Sequence, residues 1–144
     1  MRMYMKYKTR EQKVSEFHEV MSLDIDSPPR VSLLKLRARL ILEETRETLK
    51  AMEVLEMELE RGKKGTEEQW ADLLKELADL QYVLSGTLIS FNTISGDFDA
   101  AFNRVHLSNM SKLDSSGNPV YREDGKVTKG PNYQAPTLGD LIYV

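Results

Sequence analysis

The fold is decided by residues 32–61, which read SLLKLRARLILEETRETLKAMEVLEMELER. This stretch contains neither glycine nor proline and is rich in Leu, Glu, Lys, Arg and Ala, the residues that favour an α-helix. At about 1.5 Å per residue such a helix is roughly 45 Å long. A compact chain of 144 residues has a radius of gyration of only about 14–15 Å. We therefore expect the helix to project from a monomer and to require a second copy, as in a homodimer or a homotetramer.

Three further helices are predicted on either side of this segment, over residues 9–23, 66–91 and 97–113. Thr9 and Thr66 each precede a glutamine by three residues, which is the capping-box pattern of a helix start. Pro28 and Pro29 separate the first helix from the second, because the position before a proline disfavours helix. The sequence therefore predicts an all-α fold, a four-helix bundle.

The chain changes character after Asp114. Residues 120–122 and 126–128 flank a Glu-Asp-Gly turn and predict a small hairpin or an extended arm. Residues 138–143 predict a last short helix. We expect one domain over residues 1–144, with a helical core over residues 9–113 and a polar C-terminal arm over residues 114–144.

Composition excludes several classes of protein. The chain carries 20 Lys and Arg against 23 Asp and Glu, and no cysteine. This balance argues against binding nucleic acid or an anionic membrane through bulk charge, and the lack of cysteine excludes disulfides and thiolate zinc sites. No apolar run approaches the roughly 20 residues of a membrane span, and residues 1–8 lack the apolar stretch of a signal peptide. We expect an intracellular, cytoplasmic protein.

Five acidic residues fall on or beside the apolar sides of the two central helices: Glu43, Glu44, Glu47, Glu76 and Asp79. An ordinary solvated charge run would occupy the opposite face of each helix. Two antiparallel helices joined by a short loop bring these positions to a similar level. Like charges about 5 Å apart repel by roughly 3 kcal/mol per pair at an effective dielectric of about 20. Oxygen ligands suit hard cations, so the pattern predicts a site for Mg²⁺ or Mn²⁺.

Two other interpretations of these acids are open to test. In one of them, Glu43, Glu44 and Glu47 form an exposed acidic patch paired with Arg46 and Lys50. A di-iron site would need Glu-x-x-His pairs, but the residues three before His18 and His106 are not acidic, which excludes that chemistry.

The acidic motif resembles that of a known family. Glu43-Glu44-Thr45-Arg46-Glu47, followed by Glu76-Leu77-Ala78-Asp79, resembles the E-E-x-x-E … E-x-x-D signature of the MazG-like all-α nucleoside triphosphate pyrophosphohydrolases. The likeness extends from Phe17 through Asn103-Arg104-Val105-His106 and Asn109-Met110-Ser111-Lys112 to Lys129-Gly130-Pro131-Asn132-Tyr133. Within that family, the chain resembles the short, single-domain, dUTPase-like and phage-type branch. A phage-encoded origin of the protein is one option.

The resemblance implies a reaction and roles for these residues. The reaction is metal-dependent hydrolysis of a nucleoside triphosphate to a monophosphate and pyrophosphate, with two or three Mg²⁺ or Mn²⁺ ions per site. Glu44, Glu47, Glu76 and Asp79 would be the principal metal ligands. Glu43 would hold a further ion or orient the attacking water, so that Glu43, Glu44 and Glu47 are the expected catalytic residues.

Further residues are expected to contact the phosphates. Asn109 and Lys112 are three residues apart and share a helix face, from which they would hold the β and γ phosphates. Lys129 and Tyr133 in the arm would close over the substrate, in the same subunit or from a neighbouring one.

The base is expected to bind near residues 17–26, where Phe17, Asp24 and Asp26 would line its pocket. A carboxylate accepts the paired donors of guanine, whereas uracil would favour an amide, which this loop lacks. The loop therefore favours dGTP, with dUTP as the alternative. The alternative of another class is a non-catalytic helical module that serves in oligomerisation.

Overall fold

The computed structural model describes residues 7–144, which form two compact units, one ending at Asn92 and one beginning at Thr93. The elements in order are α1 Arg10–Val20, α2 Val31–Glu60, α3 Glu67–Ser90, α4 Phe98–Met110 and a 3₁₀ turn Gly139–Leu141. Within residues 7–144 the backbone forms isolated bridges but no β-strand. The predicted all-α class with four helices is confirmed.

Local sequence determines where these helices begin. The Thr9 and Thr66 side chains each accept the backbone N–H three residues ahead, and the glutamine at that position accepts in return. Both predicted capping boxes are thus present. α1 ends at Val20, earlier than expected, because the chain turns there and Ser22 has φ +56°. α4 was expected to reach residue 113 but ends at Met110. Just beyond its end, the Ser111 hydroxyl donates to the Ser108 carbonyl at 2.6 Å.

In the first unit, α3 packs against both α2 and α1. The loop between α1 and α2 is attached to the end of α3 by backbone hydrogen bonds: Asp26 N–H donates to Ile89 O at 2.8 Å and Ser27 N–H donates to Ser90 O at 2.9 Å. His18 adds a side-chain contact, with Nδ1 2.8 Å from the carbonyl oxygen of Asp24. The segment expected to bind the base is therefore held against α3.

A buried arginine lies between α2 and α3. Arg37 is 5% exposed; its Nε donates to Thr87 Oγ1 at 3.1 Å and its Nη2 donates to the Val83 carbonyl at 2.8 Å. Gly86 makes room for this guanidinium, because a Cβ at residue 86 would lie 2.5 Å from Arg37 Nη2. A side chain at residue 86 would therefore force the Arg37 guanidinium to shift.

The second unit combines α4 with the C-terminal residues. Tyr121 and Val127 form an antiparallel bridge around the Glu-Asp-Gly turn, which confirms the predicted hairpin in a minimal form. Both terminal nitrogens of the Arg104 guanidinium, Nη1 and Nη2, donate to the Asp140 carboxylate at 2.6 and 2.9 Å. These bonds join α4 to the last turn. That turn is a single 3₁₀ turn rather than the predicted short helix. The unit boundary places α4 with the arm, whereas the expected core extended through α4.

Two expectations concern the membrane and the N-terminus. Every helix in residues 7–144 falls short of the length or apolarity that crossing a bilayer requires. The signal-peptide expectation concerned residues 1–8, of which residues 1–6 lie outside the described part of the chain.

Candidate functional site

Three carboxylates from two helices converge in the first unit. Glu44 lies on α2, whereas Glu76 and Asp79 lie one turn apart on α3. One oxygen from each of the three residues can be chosen so that all lie within 4.8 Å of one another, and each residue is partly buried. The pairing of α2 with α3 creates this cluster, because neither helix alone supplies all three groups.

The negative charges of the three carboxylates repel one another, and one lysine offsets part of this repulsion. Burial raises the pKa of Glu44, and the negative charges of Asp79 and Glu76 raise it further. The Lys75 ammonium contacts the Asp79 carboxylate at 2.9 Å and the Glu76 carboxylate at 3.2 Å. Hydrogen bonds to Asp79 and then Glu76 in turn raise the pKa of Lys75. One flexible ammonium thus offsets part of the charge of three acids.

An unsatisfied buried oxygen indicates that the cluster fits a cation. Glu76 Oε2 is buried and, among residues 7–144, has no hydrogen-bond partner. A buried carboxylate oxygen without a partner is costly, and a coordinated cation would satisfy it. Because the donor set consists of carboxylate oxygens alone, it matches hard ions such as Mg²⁺ or Mn²⁺ and not zinc.

The other two acids of the predicted ligand set lie outside this trio. Glu47 lines a cavity of about 280 Å³ together with Glu76, Asp72 and Lys50. Its negative charge also contributes to the raised pKa of Glu44. Glu43 is exposed on α2. Glu47 therefore lies beside a cavity that Glu76 of the cluster also lines, and Glu43 faces solvent.

A family comparison agrees with this geometry. The family model for phosphoribosyl-ATP pyrophosphohydrolase matches residues 14–109, two thirds of the chain. The chain belongs to this family. The family consists of MazG-like all-α nucleotide pyrophosphohydrolases, which generally depend on divalent metals. A search of curated proteins found no match.

Family membership confirms the resemblance and supports a nucleotide pyrophosphohydrolase. The matched region contains all five predicted acids and the loop that we expect to bind the base. It ends at Asn109, so Lys112, Lys129 and Tyr133 lie beyond it.

The loop assigned to the base contains an ion pair that the sequence did not predict. Both oxygens of Asp24 accept hydrogen bonds from Arg30, at 2.9 and 2.7 Å. Arg30 accordingly lowers the pKa of Asp24. Asp26 is exposed and has φ +50°, a conformation that aspartate adopts more readily than most residues. Phe17 packs edge-on against Tyr82, with ring centroids 5.6 Å apart.

The residues assigned to the phosphates belong to the second unit. Asn109 is exposed near the end of α4, and Lys112 follows the helix, where its carbonyl accepts the Gly130 N–H at 2.9 Å. The Lys129 ammonium lies 4.7 Å from the centre of the Tyr133 ring, a cation–π contact. The arm residues thus contact one another and the residue that follows α4.

The sequence prediction omits Lys75, the cation nearest the acids, and names Arg46 and Lys50 instead. The available signal was its spacing: Lys75 directly precedes Glu76 and lies four residues before Asp79, so it shares a helix face with Asp79.

Proposed function

We propose that the protein hydrolyses a nucleoside triphosphate between its α and β phosphates with the help of a divalent cation. The products are the monophosphate and pyrophosphate. The observation that carries this proposal is the convergence of Glu44, Glu76 and Asp79, with a buried Glu76 oxygen that accepts no hydrogen bond from the described part of the chain. Family membership supports the reaction class.

In the proposed site, Glu44, Glu76 and Asp79 hold two or three Mg²⁺ or Mn²⁺ ions, and Glu47 completes the set from the adjoining cavity. Bound divalent cations neutralise polyphosphate charge and lower the pKa of water. Glu43 holds a further ion or orients the attacking water. Water adds to the α phosphorus as the bond between this phosphorus and the bridging oxygen breaks. The bridging oxygen leaves with pyrophosphate, and the proton of the attacking water is released to solvent.

Substrate recognition is assigned to two further groups of residues. Asn109, Lys112, Lys129 and Tyr133 supply donors and positive charge for the β and γ phosphates. We propose dGTP as the preferred substrate, read by the loop that contains Phe17, Asp24 and Asp26. The Asp24 carboxylate already accepts two hydrogen bonds from Arg30, so a base that bound there would compete with that arginine.

The test is to identify the products with a substrate panel. The panel comprises dGTP, dUTP, the other common dNTPs, GTP and phosphoribosyl-ATP, the last because the family description names it. We expect equal amounts of monophosphate and pyrophosphate, with dGTP turned over fastest. Diphosphate plus orthophosphate would show that a different bond is cut. Faster turnover of dUTP or phosphoribosyl-ATP would retain the reaction class and reject the guanine preference.

Full turnover in the presence of a chelator would reject the metal-dependent mechanism. A lack of turnover with every member of the panel, with Mg²⁺ and Mn²⁺ present, would favour the alternative of a non-catalytic oligomerisation module.

A further inference from the structure

A buried threonine lies level with the three carboxylates. Thr48 is 5% exposed and follows Glu44 by one turn of α2. Its Oγ1 donates a hydrogen bond to the Glu44 carbonyl at 2.7 Å, and the Glu76 carbonyl oxygen on α3 is 3.3 Å from the same atom. One side-chain atom therefore contacts the backbone of a cluster residue on each helix.

The 3.3 Å distance from Thr48 Oγ1 to the Glu76 carbonyl oxygen shows how closely α2 approaches α3 at this level. A hydroxyl carries one hydrogen, and the shorter distance assigns it mainly to the Glu44 carbonyl. The Glu76 backbone then rests against a side chain that is small, β-branched and polar. A larger residue at position 48 would separate α2 from α3 at the level of the cluster.

We propose that Thr48 is a positioning residue for the metal site. Its hydroxyl and its small volume set the spacing of α2 and α3 where Glu44 meets Glu76 and Asp79. The inference rests on the proposed function, because it concerns the affinity of that same cluster for a divalent cation. Thr48 coordinates no ion itself and acts through the carboxylates that it holds in place.

The geometry of the cation makes this spacing important. Mg²⁺ binds oxygen at about 2.0–2.1 Å in a near-ideal octahedron, so two oxygens on one ion lie at most about 4.2 Å apart. One oxygen each from Glu44, Glu76 and Asp79 can be chosen so that the three lie within 4.8 Å of one another, which is close to this limit and leaves little room for the helices to move apart. A small separation of α2 from α3 would therefore take a carboxylate out of reach of a shared ion.

The chain offers a matched control for an ordinary structural threonine. A hydrogen bond from a threonine hydroxyl to the carbonyl four residues earlier is common in helices. Thr87 makes such a bond to the Val83 carbonyl at 2.9 Å and also accepts from Arg37 between α2 and α3. It lies about three turns along α3 from Glu76. Replacing Thr87 by valine thus disturbs the same helix pair away from the cluster.

The experiment measures Mn²⁺ affinity by calorimetry, without substrate, for the full chain and for Thr48→Val, Thr48→Ser and Thr87→Val. Valine keeps the shape of threonine and removes its hydroxyl. We expect Thr48→Val to weaken Mn²⁺ binding about three- to tenfold, the effect of losing one hydrogen bond. Thr48→Ser should bind within about twofold of the wild type on the same reasoning. Thr87→Val should melt at a lower temperature yet keep its Mn²⁺ affinity.

Several results would overturn the inference. Unchanged Mn²⁺ affinity in Thr48→Val, or an equal loss in Thr87→Val, would show that Thr48 contributes only to general packing. If Thr48→Val does not fold, Thr48→Ala removes the same hydroxyl without adding volume, and the same comparison applies. A wild-type protein that binds no Mn²⁺ would reject the proposed function together with this inference. Wild-type binding with an unaffected Thr48 variant would reject this inference alone.

Discussion

The carboxylate of Glu44 is held in an unfavourable environment. Burial and the charges of Asp79 and Glu76 raise its pKa in the folded protein. The folded state therefore binds a proton at Glu44 more readily than the unfolded state does. By linkage, the stability of the metal-free protein falls as pH rises through the raised pKa of Glu44.

A charge-removing variant tests this strain. We expect metal-free Glu44→Gln to melt at a higher temperature than the wild type at pH 7, because the variant no longer places a charge beside Asp79 and Glu76. The difference should shrink as pH falls through the raised pKa, where Glu44 becomes neutral in the wild type as well. Thermal melts with a chelator across this pH range measure it, with the exposed Glu53→Gln as control. A large destabilisation by Glu44→Gln would instead assign Glu44 to structural bonding.

Lys75 supplies a second test of the charge balance. A metal ion that enters the cluster must compete with the Lys75 ammonium for Asp79 and Glu76. We therefore expect Lys75→Met to tighten Mn²⁺ binding and to lower the stability of the metal-free protein. The effect should be modest, because Lys75 is largely exposed and solvent screens its ion pairs. Calorimetry alongside the exposed Lys35→Met measures it, and weaker Mn²⁺ binding by Lys75→Met would contradict the account.

The residue patterns predicted part of this site. The positions of Glu44, Glu76 and Asp79 around their helices predicted that the three carboxylates lie together, because backbone geometry largely determines which helix face carries a residue. The Asp24–Arg30 pair and the approach of Lys75 depend on side-chain rotamers and on the path of a loop. Those features do not follow from helical periodicity.

At the scale of elements, Gly86 on α3 leaves space for the side chain of Arg37 from α2. Gly86 lies against the Arg37 guanidinium and also near His18, whose Nε2 would be 3.0 Å from an added Cβ. Both neighbours are buried. The helix pair therefore has little room for a side chain at residue 86.

Gly86→Ala tests this packing. We expect the variant to lose about 1–3 kcal/mol of unfolding free energy through overpacking, partly offset by the better helix propensity of alanine. Gly139→Ala is the control, because an added Cβ there meets nothing within 4 Å and its φ is not positive. Urea denaturation measures both variants. Equal stability of Gly86→Ala and the wild type would show that Arg37 moves aside freely.

The loop between α1 and α2 carries the prediction on base choice. A carboxylate that reads guanine contributes about 1–3 kcal/mol of discrimination. We expect Asp26→Asn to lower the ratio of kcat/KM for dGTP over dUTP by roughly ten- to a hundredfold, since about 1.36 kcal/mol is a factor of ten. Asp24→Asn should instead loosen the loop by weakening its bonds to Arg30 and lower kcat/KM for both nucleotides. An unchanged ratio in both variants would place base recognition elsewhere.

Helix starts and breaks were predictable because caps, prolines and glycines act locally. The ends of α1 and α4 were less predictable, since Ser22 and Ser111 terminate them through conformation and hydrogen bonds that many sequences can adopt or avoid. The predicted helix near the C-terminus reduces to one 3₁₀ turn, Gly139–Leu141, which begins at a residue of poor helix propensity.

At the scale of the whole molecule, large apolar side chains remain exposed on the helices. Leu74 on α3 is 70% exposed and Leu34 on α2 is 62% exposed. Leu74 also lines an apolar cavity of about 430 Å³ with Leu77 and Tyr82. Exposed apolar surface of this kind is typical of an interface between subunits.

We therefore predict a homodimer or a homotetramer in solution. Sedimentation should give a mass of two or four times 16.5 kDa. Leu74→Asp should shift the population toward monomer, because it places a charge in an apolar interface, whereas Glu67→Lys in the exposed first turn of α3 should not. A wild-type protein that sediments as a monomer at micromolar concentration would contradict the prediction.

The arrangement of the whole molecule was the least predictable level. The sequence indicated one helical core followed by an arm, whereas the chain divides at residues 92 and 93 and groups α4 with the C-terminal residues. Arg104 and Ser108 on α4 bond to Asp140 and Gln134. These contacts join residues more than 25 positions apart in the chain, and no local periodicity encodes them.

The central claim is that Glu44, Glu76 and Asp79 form a divalent-metal site that supports hydrolysis. The most direct measurement is pyrophosphate release by metal-depleted protein as Mg²⁺ is titrated, for the wild type, Glu76→Gln and the exposed Glu53→Gln. We expect no release before Mg²⁺ is added, recovery in the wild type and Glu53→Gln, and loss of most activity in Glu76→Gln with its helix content intact. Release without metal, or wild-type Mg²⁺ dependence in Glu76→Gln, would contradict it.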